Sequence, residues 1–425
     1  MHYKLFWDGD YMGSFFISGG NKISGEISIG GAKNAALPIL SAAALINGES
    51  IIKNVPNISD VKVAINILKN LGFNVSYEKN TITISGKMTS NVICKEDSEK
   101  MRSSITFLGS IIGRVGEGSC YFPGGCPLGE RPIELHKYGF EKLGINIIET
   151  EEKLICKGKP VGANIDLSFP SVGATINIIL ASVYAEGMTK ITNAAKEPEV
   201  VDMINFLNKC GAKIKDGGTS EIKIEGVKNL SGCEYEVMPD RIIAGTYLAA
   251  AAVTCGDLIL NNIDSSSMYP ITSKFSQMGV SIKTSKNTLE IKNYGRLSSV
   301  KVKTGVHPYF PTDMQAQTMA ALSTALGVSE IHETIFEARD KHVKELIKMG
   351  AKIDILNGSF FLVRGVKKLV GTEVEASDLR GGAALIIAAL AAEGKTIIKG
   401  ASHIERGYED IARDLNILGA NIYKG

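Results

Sequence analysis

SDVKVAINILKNLGFNVSYEKNTITISG, residues 59–86, decides the fold. Apolar residues at helical spacing run up to Leu71-Gly72, and two short β-rich runs with a turn between them follow. KHVKELIKMGAKIDILNGSFFLVRG, residues 341–365, repeats the pattern. The Leu/Met/Cys-Gly step recurs at Gly72, Gly144, Gly211, Gly279, Gly350 and Gly419, at spacings of 67 to 72 residues. The last copy has only ANIYKG after it. A second register agrees: Gly48, Gly118, Gly187, Gly256, Gly327 and Gly394 each close an apolar helical run and open a strand. Six units of this size cannot each own a core, so they must bury their apolar faces on one another.

Read outward over 23–86, one unit is β-α-β-α-β-β, with Ser59 or Asp60 capping its amphipathic helix. The other helix of each unit is apolar all round, as in TYLAAAAVTCG and ALIIAALAAEG, which marks it as buried. Three units plus three give two similar domains with buried helices inside and sheets outside: an inside-out α/β barrel of six βαβαββ repeats.

Composition narrows the function. The net charge of +2 and the lack of a basic run speak against a nucleic-acid partner. No unbroken apolar stretch is long enough for a membrane span. The opening MHYKLFWDGDYMGSFF has no signal-peptide pattern and reads as an extension ahead of the first strand. Seven cysteines without paired spacing read as reduced cytoplasmic thiols, and no CxxC or HExxH motif suggests a metal. Cys94, Cys156, Cys210, Cys233 and Cys255 fit small buried apolar positions.

Aligning the six units at the start of the buried helix gives one equivalent position: Lys33, Arg102, Ser171, Arg241, Asp313 and Arg380. Helix N-termini attract anions. Parallel buried helices would gather these positions on one face of each domain, lining a cleft with cations and one carboxylate. The plain alternative is that Ser171 and Asp313 are N-caps and the arginines are solvated. A second signal is GEGSCYFPGGCPLGERP, residues 116–132, a Gly/Pro-rich loop with Cys126 five residues before Arg131. A thiol near guanidinium groups in such a loop is reactive, and such loops act as lids. From the charged run 337–346 only Arg339 stands out.

GGAKNAALPIL (30–40), PGGCPLGERPIELH (123–136), SVGATINI (171–178), AAKEPEVVD (194–202), FPTDMQAQ (310–317), EARDKHVKEL (337–346), ASDLRGGAAL (376–385) and HIERGYE (403–409) occur in this order. Together they resemble the enolpyruvyl transferases, in the branch acting on UDP-N-acetylglucosamine. The resemblance runs from about residue 16 to the C-terminus. It implies a two-domain fold crossed twice by the chain, with 1–33 and 241–425 in one domain and 34–240 in the other. It implies phosphoenolpyruvate and UDP-N-acetylglucosamine as substrates, no cofactor, and a monomer. Lys33, Asn34, Arg131 and Arg406 would hold phosphoenolpyruvate. The sugar nucleotide would lie along Arg131, Pro132, Ile133, Glu134 and Leu135, with Phe169, Pro170, Ser171 and Val172, and with Arg102, Ile335 and Arg339 nearby. Asp313 would take the proton of the sugar 3-hydroxyl, Cys126 would protonate the phosphoenolpyruvate methylene, and Arg380 would hold the closed state. Ser59 and Phe169 stand where some members carry lysine, and Glu130 precedes Arg131 where a small residue is usual. The thiol of Cys126 implies inactivation by fosfomycin.

Overall fold

The computed structural model describes residues 12–124 and 132–425. Two separate apolar cores form. One gathers residues from Ala32 to Val237; the other gathers Phe15 to Ile29 and Ile242 to Ile422. Three buried helices fill the first, Lys33–Ala43, Thr106–Val115 and Val172–Ser182. Arg241–Val253, Gln315–Leu322 and Leu379–Ala391 fill the second. Their lack of a polar face leaves no side that could meet water, so the sheets and amphipathic helices must lie outside them.

Among the described residues there are six four-stranded sheets. Each hairpin packs its second strand against the strand that follows a buried helix; Phe73–Glu78 and Thr81–Gly86 do so on Ser50–Lys53. The strand before a buried helix adds a parallel edge. At two places this edge is exchanged between the cores. Ser24–Ser28, which precedes the helix Lys33–Ala43, pairs with Asp257–Asn261. Glu234–Glu236, which precedes Arg241–Val253, pairs with Ser50–Lys53. The strand at 24–28, read from sequence as part of the first unit, thus belongs to the sheet of the fourth. The two crossings lie side by side, bridged at Gly31 and Pro239. A Cβ on Gly31 would stand 1.7 Å from the Asn54 carbonyl oxygen, so only glycine fits there.

The glycine registers have a backbone cause. Gly72, Gly144, Gly211, Gly279, Gly350 and Gly419 all have positive φ and end the amphipathic helices. In the second register two positions are displaced. The helix Thr106–Val115 stops at Gly116 (φ 75°), two residues before Gly118, which is inside a strand. The fourth unit uses Cys255 (φ 52°) instead of Gly256. Cys255 is therefore exposed rather than buried.

The sixth sheet corrects the reading of the N-terminus. Its unit lacks a hairpin strand, and Phe15–Ser18 fills the gap between Lys395–Lys399 and Asn421–Lys424. Phe15 and Ile17 enter the second core, and Phe16 stacks on Tyr423 at 4.9 Å. The chain is closed on itself by these four residues. Ile17→Ala is expected to lower stability by about 3 kcal/mol, read by urea unfolding, because Ile17 is 1% exposed within the second core and truncation leaves a cavity there. A loss below ~1 kcal/mol would mean that this strand is dispensable.

Candidate active site

The buried helices run parallel and in register. Ser41, eight residues after Lys33, accepts through its carbonyl from the hydroxyl of Ser110, eight after Arg102, at 2.6 Å. Asn177, six after Ser171, receives the Gly109 N–H at 2.8 Å. In the other core Gln317 reaches Thr246 at 3.4 Å. The six equivalent positions therefore do lie at helix starts, three at one end of each core.

Two crossings of the chain bring the two ends together. The Lys33 backbone N–H donates to Asp240 Oδ2 at 3.1 Å, and Asp240 caps the helix Arg241–Val253 through its other oxygen. The Lys33 ammonium stands 2.8 Å from Asp60, in the first turn of the helix Ser59–Asn70. Asp60 also takes two bonds from Arg406, at 3.1 and 3.3 Å. Asp60 is thus no cap, contrary to its sequence reading: the N-cap is Ile58, and the carboxylate joins two cations. Burial pushes the Lys33 ammonium below its usual 10.5, and Arg380 and Arg406 push the same way against Asp60. Burial would raise the Asp60 carboxyl, but Lys33 and Arg406 prevail and hold it below 3.8.

Asn34 extends from the next residue to Asp313 Oδ2 at 3.3 Å. Arg380 binds the same oxygen at 2.7 Å, and Arg339 grips Oδ1 at 3.1 and 3.2 Å. Asp313 is therefore not an N-cap. Burial opposes its charge, yet Arg380 and Arg339 hold the carboxyl well below the usual carboxylate range. Arg339 is fixed by Thr312 at 2.7 Å and by the Phe336 ring at 4.8 Å. Glu333 orients this corner: it accepts from Thr312 through one oxygen and from the backbones of Ile335 and Phe336 through the other.

Ser171 does cap its helix, accepting from Ala174 N at 3.3 Å. Asn177 ties its helix to the carbonyl of Ile105 at 3.0 Å and to His136 Nδ1 at 2.9 Å. That knot joins the helix Val172–Ser182 to His136 on the helix Glu134–Lys142 and to the turn Arg102–Ile105. Burial, then Arg102, lowers His136 to about 4, so it is neutral at pH 7. Arg102 also reaches the carbonyl of Pro123, within the Gly/Pro-rich stretch 116–132. Cys126 and Arg131 lie outside the described residues, as does Glu130.

Two hydrogen-bonded groups thus meet where the cores join, Lys33 and Arg406 on Asp60 and Asn34, Arg339 and Arg380 on Asp313, linked through the Lys33–Asn34 backbone. Arg241 does not join them as a free cation. It is buried and spent on Glu199, at 2.8 and 3.2 Å. The sequence reading missed Asp60, Asp240 and Glu199 as site carboxylates. For Asp240 a signal existed, since it directly precedes an aligned helix-start residue. The four cations Lys33, Arg339, Arg380 and Arg406 against the three carboxylates Asp60, Asp240 and Asp313 leave an excess of positive charge suited to an anion. One carboxylate among them can accept a proton.

The EPSP synthase (3-phosphoshikimate 1-carboxyvinyltransferase) family profile matches residues 17–415. The UDP-N-acetylglucosamine 1-carboxyvinyltransferase 2 of Caldanaerobacter subterraneus is 45% identical over 97% of this chain and 100% of its own. The UDP-N-acetylglucosamine 1-carboxyvinyltransferase of Halothermothrix orenii is likewise 45% identical, over 97% of this chain and 100% of its own. In fold, the chain is similar to the enolpyruvyl transferase NikO of Streptomyces tendae, with a TM-score of 0.87 and 23% identity over 96% of this chain and 98% of that one.

Proposed function

The chain belongs to the UDP-N-acetylglucosamine 1-carboxyvinyltransferases of the EPSP synthase family, and on that footing we propose that it transfers the enolpyruvyl group of phosphoenolpyruvate to the 3-hydroxyl of UDP-N-acetylglucosamine, releasing phosphate. This is the first committed step of peptidoglycan synthesis. The observation that carries the reading is the convergence of Lys33, Arg339, Arg380 and Arg406 on one site that also holds Asp313.

Lys33, Asn34, Arg131 and Arg406 bind the phosphate and carboxylate of phosphoenolpyruvate. Arg102, Pro132 to Leu135, Phe169 to Val172, Ile335 and Arg339 receive the sugar nucleotide, and Arg380 closes on the bound substrates. Asp313 accepts the proton of the 3-hydroxyl as its oxygen bonds to C2, and Cys126 delivers a proton to C3. The tetrahedral intermediate then loses phosphate from C2, which carries off the proton held by Asp313, and returns a proton from C3 to the Cys126 thiolate, restoring the double bond. Lys33, Arg131 and Arg406 stabilise the departing charge. The chemistry is addition and elimination, and its proton transfers are met by side chains. We place the domain boundaries at the two crossings, with 34–240 as one domain and 1–33 with 241–425 as the other; the two separate cores support this. A monomer acting in the cytoplasm fits substrates made there. Among the described residues no helix is long and apolar enough to cross a membrane.

Phosphate release from phosphoenolpyruvate tests the reading. It is expected to require UDP-N-acetylglucosamine and to be absent with shikimate 3-phosphate; the reverse would sink the assignment. Fosfomycin is expected to abolish release and add its mass at Cys126. Full activity after prolonged exposure, with no added mass, would remove the thiol from the mechanism.

A further inference from the structure

The arm that carries Arg406 is held by more than its ion pair. We propose that Glu409 is a positioning residue: its carboxylate latches this arm, which belongs to one core, onto the other core, and so fixes Arg406 for substrate binding. The inference rests on the role given to Arg406 above.

Inward-facing residues seat the arm on its own side. Tyr408 is buried, with its hydroxyl 2.8 Å from that of Thr246. A Cβ on Gly407 would lie 2.6 Å from Leu379, so the backbone packs directly on that side chain. Arg406 and Glu409, three residues apart, face the opposite core. Glu409 Oε2 accepts the backbone N–H of Asn57 at 2.9 Å and the side-chain amide of Asn80 at 2.8 Å.

The receiving surface is built independently of Glu409. Asn80 adopts a left-handed backbone (φ 59°) at the hairpin turn, and its amide also donates to the Val55 carbonyl at 3.0 Å. The Tyr77 hydroxyl donates to the same carbonyl at 3.0 Å, and Val55 N donates to Asn80 O at 2.8 Å. The Asn80 donor is therefore held by its own core and not by the arm. Asn57 lies just ahead of the helix Ser59–Asn70, whose first turn carries Asp60. One helix start thus receives both reaching side chains of the arm, and a carboxylate is favoured there.

The latch supplies what the ion pair cannot. A bound anion that draws on Arg406 competes with Asp60, which Lys33 already shares. Glu409 holds the arm through neutral donors, with which the anion does not compete. Both hydrogen bonds fall on one oxygen, so a glutamine carbonyl can replace it.

Glu409→Ala is expected to raise KM for phosphoenolpyruvate about tenfold while kcat stays within about threefold. Glu409→Gln is expected to stay near wild type. Asn80→Gly, which tolerates the left-handed backbone, is expected to raise KM in part and to add little to Glu409→Ala. An unchanged KM in Glu409→Ala overturns the latch, and a Glu409→Gln as impaired as the alanine variant overturns its hydrogen-bonded basis. Hydrogen exchange reads the latch without catalysis. Glu409→Ala is expected to speed exchange at Asn57 and across 405–410, and unchanged exchange overturns the proposal. Wild-type protein that releases no phosphate but shows the exchange effect would sink the assigned reaction and leave the latch standing.

Discussion

Asp313→Asn is expected to lower kcat about a thousandfold, the scale on which a positioned proton acceptor contributes. Asparagine keeps an oxygen for Arg380 and Asn34 and loses the two bonds from Arg339, toward which it turns an amide N–H, and it cannot take the 3-hydroxyl proton. The structure sets a condition on the base. A carboxylate gripped by Arg380 at 2.7 Å and by Arg339 through two bonds is held well below the usual carboxylate range, which makes it a feeble base in the free protein. Its basicity must rise in the complex, when substrate anions draw on the same guanidinium groups. The sign follows for pH profiles. In the free protein Asp313 stays ionised far into acid, so kcat/KM has no acidic limb from it. In the complex its pKa moves up toward the ordinary value, so kcat falls at a higher pH than kcat/KM as acid is added. Asp313→Asn removes that limb. Retention of more than about a tenth of wild-type kcat in the variant would take the base role from Asp313.

The architecture was legible because its signals are local. A glycine forced into positive φ after every amphipathic helix recurs whatever the neighbouring units do. Apolar residues on every side of the inner helices say that they are buried without saying against what. The strand Phe15–Ser18 was not legible, since FFIS pairs with strands at the far end of the chain and nothing local marks that partnership. The exchange of the strands at 24–28 and 234–236 between cores was hidden for the same reason: either sheet offers a parallel edge of the same pattern. The site divides along the same line. Alignment of helix starts found Lys33, Asp313 and Arg380, which meet where the cores join. It also put Arg241 in the cleft, because equivalence by position cannot show that Glu199, from another unit, neutralises it. Asp60 looked like an ordinary first-turn acid, a common helix feature. Only the fold shows it between two cations. The roles of Cys126 and Arg131 rest on the loop's sequence and the family it resembles.

Lys33→Met is expected to lower kcat/KM for phosphoenolpyruvate at least about a hundredfold, with both KM and kcat affected, because the ammonium serves the bound anion and the departing phosphate. Methionine matches the stem and removes only the charge. Burial depresses the Lys33 ammonium below 10.5, so the active, charged form is lost at a lower pH than for an ordinary lysine. The alkaline limb of kcat/KM is therefore expected below 10.5, and Lys33→Arg, which stays charged, is expected to move it upward. Stability separates this role from a structural one. Without Lys33, Asp60 keeps Arg406 as its one remaining charged partner among the described residues, and a buried carboxylate that loses a charged partner costs about 1–3 kcal/mol near neutral pH. The ionised Asp60 stabilises the wild type above 3.8, and that contribution is lost as pH falls below it, since its native carboxyl is held low. The stability gap between variant and wild type is thus expected to shrink on acidification, while the catalytic defect measured at neutral pH does not depend on it. A variant that is destabilised but turns over normally would make Lys33 a structural partner of Asp60 and leave anion binding to Arg406, Arg380 and Arg339.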